Sequence, residues 1–249
     1  DNLRLEGIKE DRRAVIGGGL AVLRAVFDLL DIHEMHAAEG ALRHGALYDL
    51  LDREHIQTDM RATTVQRLVS RFAVDAPQAL RVSRVAVGLF RQMLPDMPVT
   101  QRDRLERKLD WAARLHEIGA QISHSDYHKH GAYILDNADA PGFALSELHR
   151  LSQLVLGHRG KLRKLDADFE DVLFVQQLLA LRLAVVLCHA RRDPDLKGLA
   201  LACAQTPTRR FALVWRTGWA EAWPQSAHLL REEVTAWQKT PWSLQLQCV

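Results

Sequence analysis

The chain is predicted to be mainly α, with a long all-helical domain followed by a small α+β module. Three observations support this. Apolar residues step by three and four from Asp59 to about Arg192, the period drops to two after Asp193-Pro194, and five of the six tryptophans lie within residues 215–242. The chain's 249 residues, 47% hydrophobic and 26% charged, suffice for one large core or two to three small ones. That composition excludes a disordered or fibrous chain.

Residues 1–52 read as the end of an α/β unit. Gly17-Gly18-Gly19 opens a helical pattern through Leu20, Leu23, Phe27 and Leu30, His33 to Ala38 reads as a strand, and a short helix after Gly40 carries Leu42, Leu47 and Leu51. In the helical domain, Val65, Leu68, Val69 and Phe72 form one apolar stripe. Val82, Val85, Ala86, Leu89, Phe90 and Met93 form the next. Asp75-Ala76-Pro77 supplies a cap and a first-turn proline to the second helix, and Pro95 and Pro98 close it. Further helices are expected around Gln101–Gly119, His130–Leu135, Ser146–Leu156 and Asp171–His189. Alternation then marks three strands, at Leu199-Leu201-Cys203, Phe211-Leu213-Trp215 and Trp242 to Cys248, with a helix from about Gln225 to Lys239 before the last.

Thirty-three Lys and Arg against thirty-one Asp and Glu leave a net charge of +2, too balanced for wholesale nucleic-acid or membrane binding, so any basic site is local. The longest apolar stretch, Leu178 to Cys188, is interrupted by Arg182 and falls short of the roughly 20 residues that span a bilayer. Cys188, Cys203 and Cys248 make no zinc or disulfide spacing. A soluble protein in a reducing cytoplasm is the expectation, with peripheral membrane association as the alternative. The opening residues, from Asp1 with no Met, read as the middle of something, and a trimmed fragment is expected.

Chemistry concentrates in the helical domain. Half of the twelve histidines, His116, His124, His128, His130, His149 and His158, fall between residues 116 and 158. His116 stands beside Glu117, and His128 and His130 flank Lys129. Imidazole with carboxylate suits a divalent metal or acid–base work, and imidazole with ammonium suits a phosphate. A second block, His158-Arg159-Gly160-Lys161-Leu162-Arg163-Lys164, runs directly into Asp166, Asp168, Glu170 and Asp171. It reads either as a phosphate cradle or as a solvated loop whose opposite charges pair internally.

Four blocks in order carry a resemblance: residues 14–23 (AVIGGGLAVL), 39–48 (EGALRHGALY), 115–119 (LHEIG) and 123–135 (SHSDYHKHGAYIL). Across nearly its whole length the chain resembles the carboxyl half of the exopolyphosphatase / guanosine pentaphosphate phosphohydrolase family. The resemblance implies three segments: residues 1–52 as the tail of an actin-like α/β domain, 53–195 as a helical domain similar to HD phosphohydrolases, and 196–249 as a small C-terminal α+β domain. It also implies hydrolysis of terminal phosphoanhydrides of inorganic polyphosphate or guanosine pentaphosphate, Mg²⁺ held in an upstream catalytic half, and a homodimer. Nothing in the chain resembles the first actin-like domain, so no catalytic base is assigned here.

HD enzymes hold metal with a helix His, a His-Asp pair and a later Asp. Here His116 and Glu117 match the pair, whereas the other two positions fall at about Gln78 and Val185. This degenerate set is expected not to hold a metal. Contacts to phosphate are instead expected from His116, His128, Lys129, His130, Arg159 and Lys161, with Arg43, which the resemblance places beside His44 where the family has Glu. If protonating histidines bind phosphate, affinity should rise as pH falls from about 8 to about 6. Two other readings are an independent metal-dependent HD nucleotide phosphohydrolase and a purely structural dimerisation module.

Overall fold

A computed structural model describes residues 10–35, 59–204 and 209–249. The chain divides into two compact units, Asp1–Leu51 and Asp52–Val249. In the first, helix α1 runs from Glu10 to Leu30. The glycine triplet therefore lies inside this helix and does not open it: glycine only lowers helix propensity without forbidding the conformation. Residues 32–35 form no strand, and the rest of the expected strand and the Gly40 helix lie outside the described residues.

The second unit begins with α2 (Met60–Arg71), α3 (Ala76–Gln92) and α4 (Val99–Arg114). Asp59 and Asp75 cap the first two by accepting from the Arg61 and Gln78 amides. After α4 a 3₁₀ turn, Ile118–Gln121, leads to α5 (Tyr127–Asn137) and α6 (Leu145–Gly157). The helix expected to reach Gly119 thus ends at Arg114, and His116 and Glu117 sit in the connection beyond it.

Helix α7 (Val172–Leu187), capped by Asp171, is the centre of the unit. Its residues are apolar on every side, which is the pattern of a helix surrounded by protein, and it packs against α3, α4 and α6. A three-stranded sheet follows, made of β1 (Leu199–Ala204), β2 (Arg210–Trp215) and β3 (Ser243–Cys248) in that order. β1 and β2 are antiparallel, and β2 and β3 are parallel, joined through α8 (Trp219–Ala222) and α9 (Pro224–Trp237). Leu199, Leu201, Phe211, Leu213, Trp215 and Leu244 are buried and join the same hydrophobic cluster as the helices. α9 reaches α7 directly, and the Leu201 amide donates to Gln92 Oε1 of α3 at 2.7 Å.

One close approach fixes how the 3₁₀ turn meets α5. A Cβ on Gly119 would stand 2.1 Å from the Tyr127 carbonyl oxygen and 2.4 Å from the Gly131 nitrogen, so backbone packs on backbone there. Gly88, inside α3, has no such neighbour within 4 Å. Gly119→Ala should therefore cost about 3 kcal/mol or more and lower the Tm by about 10 °C, because main chain must move. Gly88→Ala should stabilise by roughly 0.5–1 kcal/mol. Thermal unfolding of the two variants checks both signs.

Candidate anion-binding site

His116 and His158 each follow a helix end and solve the same problem in the same way. Their Nδ1 atoms donate to carbonyls three residues back, His116 to Ala113 at 2.6 Å and His158 to Val155 at 2.5 Å. Because a carbonyl only accepts, the proton sits on Nδ1 in both. The two rings are perpendicular with centroids 5.4 Å apart, and each is almost wholly buried, at 1% and 2% exposure. The Tyr127 hydroxyl stands 3.3 Å from His158 Nε2, so the phenol donates to it, and the Arg159 guanidinium lies over the Tyr127 ring at 4.7 Å. In front of this pair is His128, 6.3 Å from His158 and 8% exposed, whose Nδ1 has no hydrogen-bond partner. A buried, unpaired ring nitrogen is costly and calls for a ligand or water.

Burial holds the pKa of His116 below the usual histidine range and that of His158 well below it. His128 is also lowered, first by burial and then by the charge of Arg159. All three are therefore neutral near pH 7. The rise in anion affinity expected between pH 8 and 6 does not follow for His116 and His128, which meet a ligand, if at all, as uncharged groups.

His128 opens onto a cleft of about 530 Å³ lined by Asp126, Lys129, Arg159, Lys161 and Lys164. A second cavity of about 700 Å³ shares Gly160, Lys161 and Leu162 with it and adds Arg163, Glu232 and Lys239. Two of the four acidic residues that follow the basic block are paired elsewhere. Glu170 is paired with Arg209 and Asp171 with Arg150, and among the described residues Lys161, Arg163 and Lys164 make no ion pair. Lys129 differs, since its Nζ donates to Asp126 Oδ2 at 2.8 Å, a bond that lowers the Asp126 pKa.

Four of the residues expected from sequence, His128, Lys129, Arg159 and Lys161, thus line one cleft. His116 does not reach it, being sealed behind His158. His130 is half-buried on α5 and is not among the residues lining the cleft. Arg43 lies outside the described residues. Sequence reasoning missed Tyr127, and did not select His158 or Lys164 although both stand in the basic block.

The positions compared with HD metal ligands are engaged elsewhere. Glu117 accepts from Arg191 at 3.0 Å, and Arg191 also pairs with Asp75. Gln78 donates to the Cys188 carbonyl at 2.9 Å and accepts from Arg81 at 2.6 Å. Among the described residues no three His, Cys, Asp or Glu side chains gather as a metal site. No described helix is long and apolar enough to cross a membrane.

The model of Ppx/GppA phosphatase domain III matches residues 60–235, and that of the Ppx/GppA phosphatase family matches residues 1–54. The chain is similar to proteins named guanosine-5'-triphosphate,3'-diphosphate pyrophosphatase. That of Pseudoalteromonas translucida is 36% identical over 245 residues, covering 97% of this chain and 48% of the relative. Those of Pseudoalteromonas atlantica and Aeromonas hydrophila are each 34% identical, covering 100% and 99% of this chain and 49% of each relative. The chain therefore spans about half the length of the curated relatives it matches.

The depressed histidines make stability pH-dependent in one direction. An unfolded chain takes up protons near the ordinary pKa of about 6.5, before the folded protein does, so stability is full above that pH and falls below it. The Tm should hold steady from pH 8 to 7 and decline below about 6.5. His158→Gln, which keeps a donor for the Val155 carbonyl, should flatten the decline. An equal slope in wild type and variant would show that His158 is not the group responsible.

Proposed function

The chain belongs to the Ppx/GppA phosphatase family, and from that premise we propose that it is the anion-binding half of a phosphoanhydride hydrolase. The observation that carries this reading is the charge left over at the cleft. Among the described residues Arg159, Lys161 and Lys164 line it without carboxylate partners, and His128 lines it beside Gly160, towards which its Nε2 lies. Oxygens of a phosphate chain complement both: guanidinium and ammonium groups bind their charge, and a neutral imidazole donates one hydrogen bond when its proton is on the facing nitrogen.

The reaction proposed for the complete enzyme is attack of water on a terminal phosphorus. A new P–O bond forms, the bridging P–O bond breaks, and inorganic phosphate leaves the shortened chain with the proton of the attacking water released. The described residues hold the non-reacting phosphates and offset their mutual repulsion. Glu117 is committed to Arg191, and no three carboxylate, imidazole or thiol groups gather among the described residues, so no metal-dependent step is assigned to them. The same engagement weighs against an independent metal-dependent HD hydrolase.

Two substrates fit this chemistry. The names of the relatives favour guanosine pentaphosphate. The adjoining second cavity, with Lys161 shared and Arg163 and Lys239 beyond, favours a longer chain such as inorganic polyphosphate. Dimerisation of the chain belongs to the same proposal and is read by light scattering.

Binding separates this reading from a structural module. Polyphosphate should bind the chain with an affinity that falls steeply with added salt, as expected when several cations meet a polyanion. Arg159→Ala with Lys161→Ala should weaken binding by at least about tenfold at low salt, leaving the far-ultraviolet circular dichroism unchanged. Lys129→Ala should matter less, because Asp126 already engages that ammonium. Absence of binding by the wild-type chain would leave the structural reading standing, and nucleotide hydrolysis by this chain with added Mn²⁺, abolished by His116→Ala, would revive the HD one.

A further inference from the structure

α7 carries a single charged side chain, Arg182, which is 2% exposed. All its hydrogen bonds are accounted for by two segments. Nε donates to Glu233 Oε2 at 2.7 Å and Nη2 to Glu233 Oε1 at 2.6 Å, a bidentate pair with α9. Nη1 donates to the Gly157 carbonyl at 2.6 Å and Nη2 to the Gly160 carbonyl at 3.3 Å. Those carbonyls mark the two ends of the turn that carries His158 and Arg159.

We propose that Arg182, held by Glu233, is a positioning residue that sets the 157–160 turn and with it the shape of the phosphate cleft. This rests on the reading of the cleft as a phosphate site. Gly160 adopts φ +79°, and a Cβ there would lie 3.2 Å from His128 Nε2, so the turn backbone lies against the imidazole that lines the cleft. His158 is packed inward on His116, whereas Arg159 reaches outward over Tyr127. A shift of the turn therefore moves Arg159 and uncovers His128 together. A planar fork can satisfy a carboxylate and two carbonyls at once, which a lysine ammonium at the same place cannot.

Glu233 makes the arrangement depend on the C-terminal part of the chain. A guanidinium buried in an apolar helix requires a compensating charge, and α9 supplies it. The same helix borders the second cavity through Glu232, Thr235 and Ala236, and Lys239 just beyond its end joins them. Through Arg182, α9 thus acts on the cleft without touching its contents.

The test titrates the full chain with tripolyphosphate by calorimetry, and records amide and imidazole NMR resonances without ligand. Arg182→Lys and Glu233→Gln should each weaken binding about tenfold, and each should displace the Gly160 amide and His128 ring resonances while leaving helix content unchanged. Added to Arg159→Ala, either substitution should cause little further loss, because both act on the same contact. Unmoved Gly160 and His128 resonances, or losses fully additive with Arg159→Ala, would overturn the positioning role. If the wild-type chain bound no tripolyphosphate, the cleft reading would fail, and the resonances alone would still decide whether Arg182 sets the turn. Should Arg182→Lys not fold, the isosteric Glu233→Gln carries the same comparison.

Discussion

A guanidinium inside an apolar helix is costly to hold, and the second unit is arranged around that requirement. Arg182 interrupts a run of buried leucines and valines on α7, and its charge is offset by one carboxylate, Glu233, reached across more than fifty residues of sequence. The remaining donors go to the carbonyls of Gly157 and Gly160. Removing either partner of such a pair leaves an uncompensated buried charge, an effect on the order of 3–5 kcal/mol. The end of α6, the basic turn, the central helix and α9 are thereby tied at one point.

Around that point the charges are sorted by depth. Behind the turn, His116 and His158 are sealed from water and neutral, so they contribute shape and no charge. At the surface, Lys161, Arg163 and Lys164 make no ion pair among the described residues, and two of the four acids that follow them turn towards other partners, Asp171 to Arg150 on α6 and Glu170 to Arg209 beside β2. Each of those pairs alone contributes little to stability at an exposed position. Their effect on the cleft is larger, since they remove from it the carboxylates that would compete with an anion for Arg159, Lys161 and Lys164.

Much of the fold was legible in the sequence because its signals are local. Asp75 announces the helix it caps, and the change from a three-to-four spacing to alternation locates the strands. The glycine triplet misled because glycine is uncommon in mid-helix without being excluded from it. The site was legible only in part. His128, Lys129, Arg159 and Lys161 are conspicuous by residue type and local crowding, and the chain does bring them to one cleft. What sequence could not supply was direction: His116 is as conspicuous as His128, yet its ring is turned inward by a bond to the Ala113 carbonyl. Arg182 was visible as the lone charge in an apolar stretch, but its partners at 157, 160 and 233 are set by packing between separate helices.

The central claim is that phosphate is met by the basic run 159–164 together with His128. It is tested most directly by adding tripolyphosphate to the isotopically labelled chain and mapping which resonances move. The account predicts that the largest shifts fall on the amides of Arg159 to Lys164 and on the His128 ring, with His116 scarcely affected. Shifts centred on other surfaces, or none at concentrations that saturate binding, would contradict it.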